Sequence, residues 1–223
     1  MNFYALIVAG GTGKRMGTDI PKQFIELAGK PILMHTINRF IAFGKYIEII
    51  IVLPEDHFKL WENLKEKYAF KVPHEVIRGG TTRFLSVKSG LELITGNGLV
   101  AIHDGVRPLV STTVIRRCFE TAEKFGSAVP VVSNTSSLRL LTDVGSIPVS
   151  RKDIVIVQTP QVFRTELIRE AYMQDYSEEF TDDATVLEKS GGKIRLVEGN
   201  RENIKITNPE DLLIASTLLP KIT

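Results

Sequence analysis

The chain has 223 residues, 43% hydrophobic and 24% charged, which excludes a disordered or membrane-embedded class and suits one large α/β domain spanning 1–223. A net charge of +2 is too small for a nucleic-acid binder, and no run of about 18 apolar residues spans a membrane, so neither partner is expected. Met1 leads directly into an apolar run without a signal-peptide pattern, and the single Cys118 makes no internal disulfide, so a cytoplasmic location is expected.

The first predicted strand, Phe3 to Val8, runs straight into Ala9-Gly10-Gly11-Thr12-Gly13-Lys14-Arg15-Met16-Gly17. Glycines without Cβ let backbone N–H groups approach phosphate oxygens, and Lys14, Arg15 and the nearby Lys22 supply neutralising charge, so the segment reads as a phosphate cradle. Two familiar loops fail on spacing. A P-loop anchored on Gly13-Lys14 needs glycine at Val8 and a hydroxyl at Arg15; a dinucleotide fingerprint starting at Gly11 needs glycine at Met16. An ordinary glycine-rich turn with solvated charges accounts for the glycines alone equally well.

Further Ile- and Val-rich runs predict strands at Ile47 to Leu53, Leu99 to His103, Ala128 to Val132 and Ile154 to Val157. Between them apolar residues recur at helical spacing, in Ile32, Leu33, Thr36, Ile37 and Phe40, in Phe58, Leu60, Trp61, Leu64 and Tyr68, in Leu85, Val87, Leu91 and Ile94, and in Ile115, Cys118, Phe119 and Ala122. Alternating strand and helix predict a mostly parallel twisted sheet with helices on both faces. Ser111, Thr181 and Asn208-Pro209 mark helix starts, and Cys118, on an apolar stripe, reads as a core thiol. From Ser133 to Asp153 polar residues and Asp143-Val144-Gly145 replace the crossover helix. Alternating Leu138, Leu140 and Thr142 around that turn predict a projecting β-hairpin arm, packed on another subunit or left as a surface loop.

Ligands of a parallel α/β sheet collect beyond the C-terminal ends of its strands, which singles out four places. They are the opening loop with Arg15 and Lys22; Arg78-Gly79-Gly80-Thr81-Thr82-Arg83 with Ser86, a turn into a helix that suits a base; His103-Asp104-Gly105-Val106-Arg107-Pro108; and Asn203-Ile204-Lys205-Ile206-Thr207. Asp104 is placed to meet magnesium on a nucleotide or a hydroxyl of a second substrate, and Arg107 to hold a phosphate or polyol; a local Asp104–Arg107 ion pair is the plainer alternative. His103 suits a structural hydrogen bond better than the role of a base. Lys205, in a short apolar strand, points outward or serves an anion, and Arg151 at the return of the arm is a surface charge or an anion ligand. Asp182 and Asp183 suit a helix N-terminus, and the lack of a Cys/His cluster argues against zinc.

Taken in order, Ala9 to Met16, Pro21-Lys22-Gln23, His103 to Pro108, Gln158-Thr159-Pro160-Gln161, Thr181-Asp182-Asp183-Ala184 and Val197-Glu198-Gly199 through Asn203 to Thr207 resemble the cytidylyltransferases of the non-mevalonate isoprenoid pathway, over nearly the whole chain. The resemblance implies a Rossmann-like nucleotidyltransferase fold and a homodimer in which an arm at about 133–153 embraces the partner. It implies CTP held by Ala9, Gly10, Gly11, Thr12, Gly13 and Lys14, with cytosine and ribose around Gly80, Arg83, Ser86 and Asp104. It implies 2-C-methyl-D-erythritol 4-phosphate held by Asp104, Arg107, Ser137, Thr159, Thr181, Lys205 and the partner subunit's Arg151. Arg15, Lys22, Arg151 and Lys205 are the implied catalytic residues. The family's arm carries an Asp-Thr pair before a basic residue, whereas Ser136-Ser137-Leu138-Arg139 keeps the hydroxyl at Ser137 and lacks the carboxylate.

The implied reaction is direct: a substrate phosphate oxygen attacks the α-phosphorus of CTP in line, and magnesium-bound pyrophosphate leaves. Such a transfer calls for cations rather than a nucleophile and base, which matches the Arg and Lys content of the four places. A sister family with similar motifs transfers CMP to ribitol 5-phosphate, but Thr181 to Glu188 and Asn208 to Leu213 are more similar to the isoprenoid enzymes. A non-catalytic nucleotide-binding module is the rival from another class, and Lys22 together with Lys205 speaks against it.

Overall fold

A computed structural model of the chain describes residues 1–11, 16–17, 20–44 and 46–221. In chain order β1 (Asn2–Val8), β2 (Glu26–Leu27) and β3 (Lys30–Pro31) precede α1 (Ile32–Phe43), and β4 (Glu48–Leu53), α2 (Phe58–Lys67), β5 (Glu75–Arg78), α3 (Arg83–Leu93), β6 (Gly98–Asp104), α4 (Thr112–Phe125) and β7 (Ser127–Ser133) follow. β8 (Leu138–Thr142) and β9 (Gly145–Val149) form a separate hairpin. Then come β10 (Val155–Val157), β11 (Gln161–Arg164), α5 (Thr165–Ala171), α6 (Asp183–Lys189), β12 (Leu196–Glu198) and α7 (Pro209–Leu218).

β5, β4, β1 and β6 lie side by side and parallel, as the alternation of elements predicts. β11 is antiparallel to both β6 and β7, and β12 joins β7 in parallel. Val157 lies opposite Val131 and Val162 opposite Ala128, so β10 and β11 run along β7 with Gln158-Thr159-Pro160 bulging between them. The Thr159–Pro160 peptide is cis.

Strand alternation divides the core in two. Ala5 and Ile7 of β1, Ile49 and Ile51 of β4, and Leu99 and Ala101 of β6 pack toward Phe40, Trp61 and Phe119 on α1, α2 and α4. Tyr4 and Leu6, Ile50 and Val52, and Val100 and Ile102 pack toward Phe84, Ile168 and Leu187 on α3, α5 and α6. Burial on both faces is why these strands read as unbroken apolar runs, and each buried Leu, Ile or Phe contributes roughly 1.5–3 kcal/mol. Cys118 belongs to the first core, its thiol pushed up to about 12 by burial.

Ser111 caps α4 through the Val114 amide, and Asn208 and Asp211 close a capping box around Pro209 on α7. On α6 the cap is Asp182 rather than Thr181: its carboxylate accepts the Thr185 amide, and a charged acceptor also complements the helix dipole. The arm forms over residues 138–149, with Thr142 paired to Gly145 across a two-residue Asp143-Val144 loop. It lies outside the main sheet, and Leu141 and Val144 are 82% and 98% exposed. No described helix is long and apolar enough to cross a membrane.

Candidate active site

The register of the parallel strands gathers the expected residues at one edge. Val8, the last residue of β1, pairs with both Val52 and Asp104, and Leu53 pairs with Arg78, so the loops after β1, β5 and β6 open side by side. The chain builds outward from β1 through β4 to β5 and returns to β6, and the crevice lies where that order reverses. Ala9 donates to Val52 O and Gly105 to Val8 O, which fixes the loop roots.

A first cleft of about 270 Å³ is lined by Ala9, Gly10, Gly11, Lys22, Gly80, Arg83, Ser86, Asp104 and Lys205, among others. Lys22 passes so close to Gly11 that a Cβ there would stand 2.9 Å from its Cε. Gln23, fully buried, holds this segment by donating to Ala9 O at 2.7 Å. Opposite, a Cβ on Gly80 would stand 2.4 Å from Leu85 Cβ, so the turn entering α3 requires glycine. Ser86 donates to Thr82 O at 2.8 Å, which leaves lone pairs rather than a proton for a ligand.

A second cleft, of about 290 Å³, is lined by Arg83, Asp104, Arg107, Gln158, Thr159, Thr181, Asp182 and Lys205 among others. Arg83, Asp104 and Lys205 are therefore common to both. Asp104 is nearly buried and accepts from Arg107 Nε at 3.0 Å; Lys205 Nζ stands 3.2 Å and Arg83 Nε 3.8 Å from its carboxylate. Burial alone would raise this carboxyl, but Lys205, Arg83 and Arg107 together hold it well below the usual range. Arg83 forms a two-pronged pair with the fully buried Asp183, at 2.8 and 2.6 Å.

His103 is structural, as its sequence context suggests. Nε2 faces Arg107 O, a pure acceptor, so Nε2 carries the proton and Nδ1 accepts from the Thr159 hydroxyl at 3.0 Å. Burial draws this imidazole down to about 4, so it stays neutral. The Thr159 oxygen in turn accepts the Asp104 amide at 3.1 Å, so this hydroxyl positions the wall of the cleft and has no proton left for a ligand.

Ile204-Lys205-Ile206 forms no strand, contrary to its apolar pattern; a backbone bond from Ile206 to Val106 O docks it. Alternation still operates, because Ile206 enters a small core with Val106 and Leu109 while Lys205 turns to Asp104. The buried Asn203 anchors the segment by donating to Thr159 O at 2.7 Å, and its own carbonyl accepts from Arg107 at 2.8 Å. Thr12, Gly13, Lys14 and Arg15 lie outside the described residues. Ser137 and Arg151 line neither cleft; Arg151 donates to Thr135 O at the base of the arm. The pairing of Arg83 with Asp183, and of the buried Gln161 with Asp182 at 2.7 Å, had no motif to reveal it.

A family model described as 2-C-methyl-D-erythritol 4-phosphate cytidylyltransferase matches residues 3–221. Proteins of that name from Bacteroides thetaiotaomicron and Phocaeicola vulgatus are 53% and 51% identical to the chain. Those matches cover 96% and 98% of this chain and 98% and 100% of theirs. Among solved structures, the 4-diphosphocytidyl-2C-methyl-D-erythritol synthase of Anaerococcus prevotii superposes with a TM-score of 0.83 at 28% identity, covering 98% of this chain and 96% of that one. The 2-C-methyl-D-erythritol 4-phosphate cytidylyltransferase of Thermus thermophilus superposes at 0.81 and 30% identity, covering 99% and 100%. With two adjoining clefts that share Arg83 and Lys205 as cationic lining in a nucleotidyltransferase fold, and a match along its whole length, the chain belongs to the 2-C-methyl-D-erythritol 4-phosphate cytidylyltransferase family.

Proposed function

We propose that the two clefts hold the two substrates of one transfer, CTP against the β1 loop and α3, and 2-C-methyl-D-erythritol 4-phosphate beside Thr181 and Arg107. The activity is that of the family: CMP passes from CTP to methylerythritol phosphate, giving 4-diphosphocytidyl-2-C-methyl-D-erythritol and pyrophosphate, a step in isoprenoid precursor synthesis. The observation that carries the assignment of clefts is that Arg83, Asp104 and Lys205 line both.

An oxygen of the methylerythritol phosphate bonds to the α-phosphorus as the bond to the bridging oxygen breaks, and that oxygen leaves with the electron pair on pyrophosphate. Bringing two polyanions together is the main barrier the protein has to lower. Ala9, Gly10, Gly11, Thr12, Gly13 and Lys14 cradle the triphosphate, while Arg15 and Lys22 neutralise the charge gathering on the α-phosphoryl group. Gly80 admits the base, and the Ser86 lone pairs match the exocyclic amino group of cytosine, a donor that uracil lacks. Asp104 accepts substrate hydroxyls. Arg107, Lys205 and Thr181 hold the polyol phosphate, with Thr159 behind them.

Magnesium enters with the nucleotide. Among the described residues no three His, Cys, Asp or Glu side chains form a metal-binding group. Asp104 Oδ2 is occupied by Arg107 and Lys205, a setting that does not fit a dication. We therefore assign magnesium to the CTP phosphates, as part of the substrate.

A second copy completes the site. The exposed Leu141 and Val144 of the arm, and the exposed Val155, Ile156 and Val157 of β10, offer apolar surface for a partner to cover. In that homodimer the partner subunit's Arg151, together with the arm hydroxyl at Ser137, reaches the polyol cleft. A lone buried thiol and a nucleotide substrate support a cytoplasmic location. Asp104→Asn tests the shared wall: calorimetric affinity for CTP and for methylerythritol phosphate should both fall about tenfold, and loss of only one would contradict it.

A further inference from the structure

Arg83 stands at the joint between the clefts, and its charge is directed away from both. As the first residue of α3 it follows the Gly80 turn, and both Nη atoms reach Asp183, at 2.8 and 2.6 Å. Nε is the guanidinium nitrogen nearest Asp104, 3.8 Å from Oδ1, whereas Arg107 and Lys205 crowd Oδ2 at 3.0 and 3.2 Å. Oδ1 is thus the less saturated oxygen. Asp183 is fully buried, and its Oδ1 also accepts the Tyr172 hydroxyl at 2.6 Å. Tyr172 is itself fixed by stacking on Phe84, ring centroids 4.7 Å apart. Forked Arg–carboxylate bonding outcompetes a single charge contact. Without Asp183, the carboxylate beside the guanidinium is Asp104, and the fork would close on its Oδ1.

We propose that Asp183 and Tyr172 are positioning residues for the transfer: by holding the Arg83 fork they keep Asp104 Oδ1 open to substrate hydroxyls. The same contact ties the turn at Gly80 to the residues next to Thr181, so the walls of the two clefts are set together. The inference rests on Asp104 serving the substrates as described above.

Tyr172→Phe keeps the stacked ring and removes one hydroxyl. It should raise the Kd for CTP and the KM for methylerythritol phosphate roughly tenfold, the equivalent of one hydrogen bond to a charged group. KM should change more than kcat, and the thermal midpoint should fall by several degrees, as loss of one buried hydrogen bond to a charged group requires. Asp183→Asn should act in the same direction more strongly; if that variant does not fold, Tyr172→Phe decides alone. In an Arg83→Gln background the Tyr172→Phe effect should vanish, because it acts through the guanidinium. Unchanged CTP affinity in Tyr172→Phe, or an equal loss with and without Arg83, overturns the proposal. CTP affinity is read by calorimetry and does not depend on turnover. A wild-type enzyme that binds CTP and transfers nothing to methylerythritol phosphate would instead contradict the substrate assignment.

Discussion

Lys205 Nζ lies 3.2 Å from Asp104 Oδ2, and against the burial that would raise this carboxyl it heads the three cations that hold it down. The sign of the consequence is fixed. A depressed carboxyl keeps its charge, and any function of that charge, until the pH falls through the depressed value. Lys205→Met removes the leading cation and moves the Asp104 value back up. The acid limb of kcat/KM should therefore shift to higher pH, with a raised KM for methylerythritol phosphate, as a pH profile of both enzymes would show. An unmoved acid limb would separate Lys205 from Asp104 in function.

Lys22→Ala and Arg15→Ala should lower kcat about 100-fold or more, the usual cost of losing one transition-state donor, while CTP affinity falls far less. Steady-state kinetics beside calorimetric CTP titration reads the two quantities separately. Equal loss in both would make these residues nucleotide anchors only.

His103 makes stability depend on pH. Burial, partly opposed by Asp104, draws its imidazole down to about 4, whereas an unfolded histidine titrates near 6.5. Between those values the unfolded chain takes up a proton that the fold refuses, so stability falls as the pH drops through that window. From pH 7 to pH 5 the His103 contribution is on the order of 2 kcal/mol. Urea unfolding at the two pH values should show this loss in the wild type and a smaller one in His103→Gln.

Lys22→Ala and Arg151→Ala should each be nearly inactive alone. If the partner subunit's Arg151 completes each site, mixing and re-associating the two variants creates hybrid dimers with one intact site, and about one-quarter of wild-type activity should return. Mixtures that remain inactive would place Arg151 outside the partner's site.

What the sequence reveals depends on how local the physics is. β1, β4 and β6 were legible because burial on both faces demands unbroken Ile and Val. β11 was not, because its first residue, Gln161, is a polar side chain buried to bond Asp182 and the Ala184 amide. Ile204 to Ile206 shows the reverse: its apolar alternation looks like a strand but is satisfied by docking on Val106 and the nearby core. Asp104 and Arg107 could be read together since three positions separate them. Arg83 and Asp183 lie 100 positions apart, and only the packing of α3 against α5, and of α5 against α6, brings them together.

The most direct measurement is pyrophosphate release from CTP by the wild-type protein with methylerythritol phosphate and with ribitol 5-phosphate, at matched concentrations. Release with methylerythritol phosphate, exceeding that with ribitol 5-phosphate by at least about tenfold, is the expected result, since polar groups built for one polyol are left unpaired by another. Preference for ribitol 5-phosphate, or release with neither, would contradict the account.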